Sequence, residues 1–179
     1  MILTLTPNPS LDRTVSLPGP LQRGAVQRLT GVVMEPGGKG VNVARVLSNA
    51  GRAATAVLPA AENDPILTAL GALELPGLTV RSVPVAGPAR INTAVTEPDG
   101  TTTKLNELGA GLSEEEIDAV EQALLETLTL TGVSAGAATH HWAVLSGSLP
   151  PGAPVRWYAR LVGLLREAAP GLRIAVDTS

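Results

Sequence analysis

The sequence predicts an α/β fold built on a mostly parallel sheet, and three observations lead to this prediction. Short apolar runs, typical of buried parallel strands, alternate with segments of helical periodicity. Polar or glycine-rich clusters follow three of these strands, at the end where open α/β sheets bind ligands. A ribbon rich in Thr and Val falls outside this alternation and indicates a small additional sheet.

Periodicity and turn signals define the elements in order. Strands are predicted at residues 2–5, 14–17, 30–34, 53–58, 79–83, 91–97, 101–105, 143–145 and 173–176. Helices are predicted at residues 40–50, after Asp64, after Ser113 and at residues 154–168, and residues 130–141 are expected to connect two elements without a regular pattern.

Local signals justify the boundaries. Asp64 followed by Pro65 is an N-cap with proline in the first helical position, and Ser113-Glu114-Glu115-Glu116 is a capping box. Pro98-Asp99-Gly100 indicates a hairpin turn between the two arms of the ribbon. The helix at 40–50 is expected to end at Gly51 and to bury the side chains Val43, Val46 and Leu47.

The composition is that of a globular protein. The 179 residues are 44% hydrophobic and 16% charged but only 2% aromatic, so Leu, Val and Ala must form the core of one domain. A net charge of −3 without a basic run argues against a nucleic-acid partner, and the absence of Cys excludes disulfides and a Cys nucleophile. With neither a signal-peptide pattern nor a membrane-spanning apolar run, we expect a cytoplasmic protein with no membrane partner.

The segment from Glu35 to Ala44 contains three glycines and a lysine immediately before a predicted helix. Glycines permit close approach of the backbone to a ligand, and a helix N-terminus favours negative charge, so an anionic or polyhydroxylated ligand fits. The segment does not match a nucleotide P-loop, and Val43 stands where a dinucleotide-binding loop has its third glycine. On its own it is equally compatible with a tight turn that binds nothing.

Other polar residues also have ordinary structural explanations when each is taken alone. Asp12 is expected in a proline-rich loop after the first strand, where an Asp is usually a turn or cap residue. Lys39 and Arg90 could be solvated surface charges. Asn92 and Asn106 could be turn or edge residues, and Ser148 could cap the helix that follows it.

Together, five motifs in order resemble the ribokinase-like sugar kinases, and among them the hexose-phosphate kinases. These motifs are Thr6-Pro7-Asn8-Pro9-Ser10-Leu11-Asp12, Pro36-Gly37-Gly38-Lys39-Gly40-Val41-Asn42-Val43-Ala44, Arg90-Ile91-Asn92, Lys104-Leu105-Asn106-Glu107 and Leu145-Ser146-Gly147-Ser148-Leu149-Pro150-Pro151-Gly152. The resemblance covers the whole chain. It implies a doubly wound α/β fold with a small β-sheet lid, formed by the strands near 14–17, 30–34, 91–97 and 101–105.

The resemblance also implies roles for individual residues. Asp12 and Asn42 would hold sugar hydroxyls, and Arg90 would bind the phosphate already present on the substrate. Gly37, Gly38 and Gly40 would let the backbone approach the sugar. Further substrate contacts would come from Lys39, Asn92, Lys104, Asn106, Ser148 and, from the lid, Arg28. Glu107 and Asp177 would face the region of Mg²⁺ and the nucleotide phosphates.

The resemblance implies ATP- and Mg²⁺-dependent phosphorylation of a sugar phosphate. The favoured reaction converts fructose 1-phosphate to fructose 1,6-bisphosphate. Tagatose 6-phosphate as the substrate and a non-catalytic sugar-phosphate-binding fragment are the alternatives. Members of this family often dimerise through their lids, so a homodimer is expected.

One departure from the family is that the Gly-Ala-Gly-Asp motif of the general base and the Asn-x-x-Glu motif that organises Mg²⁺ are missing. We therefore expect residues 1–179 to be the N-terminal part of one kinase domain. The C-terminal part, with the base, would lie beyond Ser179, and the chain alone would be inactive.

Overall fold

The computed structural model describes residues 1–130 and 141–178, so most of the connection expected at 130–141 lies outside the described residues. In chain order its strands are β1 (Ile2–Leu5), β2 (Ser10–Ser16), β3 (Gly31–Gly37), β4 (Ala54–Ala60), β5 (Leu78–Pro84), β6 (Arg90–Thr96), β7 (Thr102–Asn106), β8 (Trp142–Ser146) and β9 (Arg173–Asp177). The helices are α1 (Lys39–Asn49), α2 (Pro65–Gly71), α3 (Glu114–Leu130) and α4 (Trp157–Ala168).

The larger sheet has the strand order β5-β4-β1-β8-β9, and all of its neighbouring strands are parallel. Leu3 and Leu5 of β1 pack with α3 and α4 in the main core, whereas α1 covers Ala54 and Ala56 of β4 from the other face. Helices therefore flank both faces of a parallel sheet, which confirms the predicted fold class.

The second sheet is mixed and has the order β3-β2-β6-β7. Its two central strands, β2 and β6, are parallel, and each outer strand is antiparallel to its neighbour. The four segments expected to form a small sheet therefore do form one. This small sheet is attached to the rest of the molecule by Leu11 and Ile91, which pack with Val41, Leu58 and Ile66.

Strand β2 begins at Ser10, earlier than the predicted start at residue 14, and this corrects the placement of Asp12. Asp12 lies within the strand, opposite Glu35 on β3 and Asn92 on β6, and not in a loop. The physical reason is the burial of Leu11 against the body of the protein, which fixes extended backbone there and turns Asp12 to the opposite face.

Helix α1 confirms the predicted boundaries to within one residue and the predicted buried face only in part. Its buried residues are Gly40, Val41, Ala44 and Ser48, whereas Val46 is 67% exposed. Leu47 packs against Ala44, Ala54 and Ala56 as predicted, whereas the fully buried positions are taken by small residues because the helix approaches the sheet closely.

The predicted caps are confirmed. Gly51 ends α1 with φ +70°, and the N–H groups of Gly51 and Arg52 donate to the carbonyls of Ser48 and Leu47, as in a Schellman motif. Asp64 caps α2 by accepting from the Ile66 N–H, and Ser113 and Glu116 exchange both capping-box hydrogen bonds. Helix α4 starts at Trp157, three residues later than predicted, after a turn closed by the Trp157 N–H and the Pro154 carbonyl. None of the helices in the described ranges has the length and apolarity needed to cross a membrane.

Glu121 is a buried carboxylate that the sequence pattern did not indicate. It is 5% exposed, accepts a 2.8 Å hydrogen bond from the indole N–H of Trp157, and forms a 2.8 Å ion pair with Arg160. Because Trp157 is fully buried, its indole N–H depends on this carboxylate for an acceptor. Glu121 thereby joins α3 to α4 within the main core.

We expect Glu121→Ala to destabilise the protein by about 1–3 kcal/mol, because it leaves the buried indole N–H of Trp157 without an acceptor. The matched control is Asp118→Ala, which removes only the exposed partner of Arg160 and should cost less than about 1 kcal/mol. Denaturant unfolding measures both free energies. Equal losses in the two variants would show that the contact between Glu121 and Trp157 contributes little.

Candidate functional site

A polar cleft of about 180 Å³ lies where β1 and β8 end and where α1, β2 and β6 begin. This is the carboxyl end of the parallel sheet, which is the position that the sequence indicates for a ligand. Its lining includes seven of the predicted site residues, namely Asp12, Gly38, Lys39, Asn42, Arg90, Asn92 and Ser148. The remaining lining residues are Asn8, Ser10 and Gly147.

Asp12 is the acidic group of this cleft, and its position is fixed by two hydrogen bonds. Its Oδ1 accepts from the Ser10 hydroxyl at 2.8 Å and from the Asn92 side-chain amide at 3.1 Å. A Cβ atom at Gly37 would overlap the Asp12 carboxylate, so glycine at that position leaves room for the acid. Asp12 is thus held as a preoriented hydrogen-bond acceptor.

Arg90 and Asn92 enter the cleft from the start of β6. The Arg90 Nη1 donates to the Glu107 carbonyl at 3.3 Å, whereas its buried Nε has no hydrogen-bond partner among the described residues. The buried Oδ1 of Asn92 is similarly without a partner there. Burial lowers the pKa of Arg90, and the nearby negative charge of Asp12 opposes that shift. One donor and one acceptor beneath the lining of the cleft are therefore buried without a partner among the described residues.

The N-terminus of α1 packs directly on the end of β1. The Thr6 hydroxyl accepts from the Val41 N–H at 2.8 Å. Gly38 has φ +103°, and a Cβ there would lie 2.6 Å from the Thr6 methyl group, while a Cβ at Gly40 would lie 2.7 Å from the Leu5 carbonyl oxygen. These glycines therefore permit the helix and the strand to approach each other closely. This structural function is additional to the expected one, in which they let the backbone approach a sugar.

Lys39 and Asp177 form an ion pair at the edge of the cleft, with 3.0 Å between Nζ and Oδ2. The Asp177 carbonyl also accepts from the Gly147 N–H at 3.0 Å. These contacts connect the start of α1 with the end of β9 and with the loop that carries Ser148. Because both ion-pair side chains are largely exposed, their attraction contributes little to stability and leaves them available to a ligand.

Lys104 and Asn106 line a second hollow of about 320 Å³ on the face of the small sheet that bears Asp12. Glu35 lines it too, and Asp12 and Asn92 line both hollows. The two hollows are consequently adjacent and share these two side chains.

Five predicted site residues line neither of these two hollows. Arg28 is exposed in the loop between β2 and β3. Gly37 and Gly40 pack against Asp12 and Thr6. Glu107 accepts a 2.8 Å hydrogen bond from the Ile91 N–H and anchors the start of β6, whereas Asp177 pairs with Lys39. Glu107 and Asp177 therefore do not share a contact.

Three residues with clear structural functions at the site were not assigned a role from the sequence: Thr6, Asn8 and Ser10. A signal was present, since all three are polar and alternate with Pro7 and Pro9 directly after a buried strand. Among the described residues, no group of three or more His, Asp or Glu side chains is arranged to hold a metal ion.

The sequence and the fold are similar to those of phosphofructokinases. The chain is 34% identical over 99% of its length to the 1-phosphofructokinase of Rhodobacter capsulatus, of which it covers 53%. It is also 34% identical, with the same shares covered, to the ATP-dependent 6-phosphofructokinase isozyme 2 of Escherichia coli strain K12. The resemblance drawn from the motifs is thereby confirmed, and the chain spans about half the length of the curated relatives it matches.

Solved structures give the same result. Phosphofructokinase-2 from Escherichia coli in complex with fructose-6-phosphate superposes with a TM-score of 0.83 at 30% identity, over 99% of this chain and 55% of that chain. A possible 1-phosphofructokinase from Thermotoga maritima also gives 0.83, at 26% identity, over 100% of this chain and 54% of its own. No family model matches the sequence.

The contact between α1 and β1 yields a prediction about stability. Gly40→Ala should destabilise the protein by roughly 1–3 kcal/mol, because its Cβ would meet the Leu5 carbonyl at 2.7 Å and backbone cannot move aside like a flexible side chain.

The matched control is Gly163→Ala in α4, where a new Cβ meets nothing within 4 Å and alanine favours the helix. Thermal unfolding should show a lower Tm for the first variant and an equal or higher Tm for the second. A Gly40→Ala protein as stable as the parent would contradict the close approach.

Proposed function

We propose that this chain forms the sugar-phosphate-binding side of an ATP-dependent hexose-phosphate kinase of the ribokinase-like type. The observation that carries the proposal is the pair of opposite charges that lines one cleft, the guanidinium of Arg90 and the carboxylate of Asp12, which Ser10 and Asn92 hold in place. A guanidinium suits a phosphate oxygen, and a carboxylate suits sugar hydroxyls. A sugar phosphate supplies both kinds of group.

The roles proposed for the other residues follow from their positions. Asn42, Lys39 and the Gly38 backbone stand at the N-terminus of α1, where the helix dipole favours an anionic group. Ser148 faces them from the loop after β8. Lys104 and Asn106 would contact the part of the substrate that extends over the small sheet, and Arg28 would join them only if its loop moved over that face.

The favoured substrate is fructose 1-phosphate, because several relatives of this chain are named 1-phosphofructokinase. Fructose 6-phosphate is a second candidate, because a relative of equal identity is named a 6-phosphofructokinase. Tagatose 6-phosphate and a role in binding without catalysis are retained as the remaining alternatives. All three sugar phosphates share the phosphate and the hydroxyl groups for which the cleft has partners.

ATP is the proposed phosphoryl donor, with Mg²⁺ as its counter-ion. Phosphoryl transfer depends on positioning and on charge neutralisation, and Lys39 is the cation best placed in this chain to contribute to both. Asp177 would lie near the transferred group through its ion pair with Lys39, and Glu107 is the weaker candidate because the Ile91 N–H occupies its carboxylate. Since the described residues include no cluster of metal ligands, we assign no Mg²⁺ site within them.

Residues 1–179 are further proposed to be the N-terminal part of one such kinase domain, acting in the cytoplasm, with the small sheet as its lid. The general base has no assigned position in this chain, because the Gly-Ala-Gly-Asp motif of the resembling family is absent from it.

We expect Arg90→Ala to weaken binding of fructose 1-phosphate by about 1.5–3 kcal/mol, the value of a hydrogen bond to a charged group, while fructose binding changes little. Isothermal titration calorimetry with both sugars measures this. The matched control is Arg166→Ala, which removes an exposed arginine in the last turn of α4. Equal affinity of parent and Arg90→Ala for the phosphorylated sugar would refute the assignment.

The 179-residue chain is expected to bind the sugar phosphate without transferring phosphate to it, because no residue is placed as the base near the attacking hydroxyl. ATP consumption with fructose 1-phosphate and Mg²⁺ tests this. Sugar-dependent turnover at rates typical of kinases would mean that a carboxylate of this chain, Asp12 or Asp177 first, acts as the base.

We also propose a homodimer formed through the small sheet. On the face opposite Asp12, Val32, Met34 and Leu105 are 50%, 50% and 60% exposed, and an apolar sheet face of this kind favours burial against another surface. Phosphofructokinase-2 of Escherichia coli, which matches 99% of this chain with 54% of its own length, has a tetrameric inhibited form.

Sedimentation at micromolar concentration is expected to show a dimer for the parent chain and a monomer for Leu105→Glu, because a charge would be placed in the buried face. Val155→Glu is the matched control, since Val155 is 94% exposed and lies outside the small sheet. A monomeric parent chain, or a Leu105→Glu variant that remains dimeric, would exclude this interface.

A further inference from the structure

Asn8 joins two loops that border the cleft. It is 5% exposed, and its Nδ2 donates to the Leu108 carbonyl at 2.9 Å and to the Ser148 hydroxyl oxygen at 3.3 Å. Gly109, with φ +93°, packs against its Oδ1 so closely that a Cβ at that position would overlap the amide. A single side chain thereby connects the end of β1, the segment after β7 and the loop after β8.

The partners of Asn8 fix the direction of every hydrogen bond in this chain of contacts. A backbone carbonyl can only accept, so the Asn8 atom next to Leu108 must be the amide nitrogen. The same nitrogen then donates to Ser148, whose oxygen must act as the acceptor. The hydroxyl hydrogen of Ser148 consequently points away from Asn8 and is free to donate elsewhere.

The backbone beside Ser148 is held independently. The Tyr158 hydroxyl donates to the Gly147 carbonyl at 2.8 Å, and the Gly147 N–H donates to the Asp177 carbonyl at 3.0 Å. Tyr158 is buried, and burial raises the pKa of its hydroxyl, so it remains a donor throughout the ordinary pH range. With the loop fixed by Tyr158 and Asp177, the orientation of the Ser148 hydroxyl is what remains for Asn8 to set.

We propose that Asn8 is a positioning residue that orients the Ser148 hydroxyl as a donor toward an acceptor oxygen of the bound sugar phosphate. The proposal rests on the proposed function of the cleft, which both residues line. The oxygens of a dianionic phosphate can only accept, so a serine held in the donor state would be matched to them.

A double-mutant cycle tests this mechanism, with the affinity for fructose 1-phosphate as the readout. Ser148→Ala and Asn8→Ala should each weaken binding about tenfold or more, the loss of one hydrogen bond to a charged oxygen. Because Asn8 acts through Ser148, the double variant should bind no more weakly than Ser148→Ala alone. Asn49→Ala, at an exposed position near the end of α1, is the control. Losses that multiply in the double variant, or an Asn8→Ala protein that binds like the parent, would overturn the proposal.

Asn8→Asp keeps the shape of the side chain and decides the matter if Asn8→Ala does not fold. A carboxylate can only accept, so it would draw the Ser148 hydroxyl toward itself, and protonation at lower pH would restore a donor. Relative to the parent, the affinity of Asn8→Asp should therefore recover as the pH falls from 7 to 5, and a constant ratio would contradict the mechanism. If the parent chain does not bind fructose 1-phosphate at all, the proposed function is refuted. If the parent binds but the two losses in affinity multiply in the double variant, only the positioning role of Asn8 is refuted.

Discussion

The close approach of α1 to the end of β1 is the constraint on which the site depends. Gly38 and Gly40 leave no side-chain atoms between helix and strand, and the Thr6 hydroxyl satisfies the Val41 N–H that would otherwise be buried without an acceptor. A helix held at this distance presents its N-terminal turn directly beside the ends of the parallel strands. Any larger residue at Gly40 would push the start of the helix, and with it Lys39 and Asn42, away from the cleft.

The small sheet is linked to this same point. Leu11 packs on Val41 of α1, so the neighbouring Asp12 faces the opposite side of β2, toward the cleft. Arg45 strengthens the connection by donating to the Pro36 carbonyl at 2.8 Å and pairing with Glu35 at 3.1 Å. The sheet that supplies Asp12, Arg90 and Asn92 is therefore positioned by the first turns of one helix.

Local signals sufficed to predict the helices, most strands and the caps, because apolar alternation, capping residues and turns act within a few residues of one another. The misplaced features depend on contacts distant in sequence. Asp12 was assigned to a loop because the burial of Leu11 is decided by Val41 and Leu58. The exposed face of α1 and the burial of Glu121 beside Trp157 were missed for the same reason. Ordered motifs predicted most of the cleft lining, whereas the function of Asn8 required knowing that Leu108 and Ser148 meet it.

The alternation of β6 also limits what could occupy the cleft. Arg90 and Asn92 are two residues apart on one strand, so they face the same side, with their backbones roughly 6–7 Å apart. Arg90 contributes a positive charge, and the side-chain amide of Asn92 already donates to Asp12. Asp12 places a negative charge on the same lining, so a purely anionic ligand would be attracted by Arg90 and repelled by Asp12. The cleft therefore combines a cation with an anion and neutral hydrogen-bonding groups, and is not a purely positive anion site.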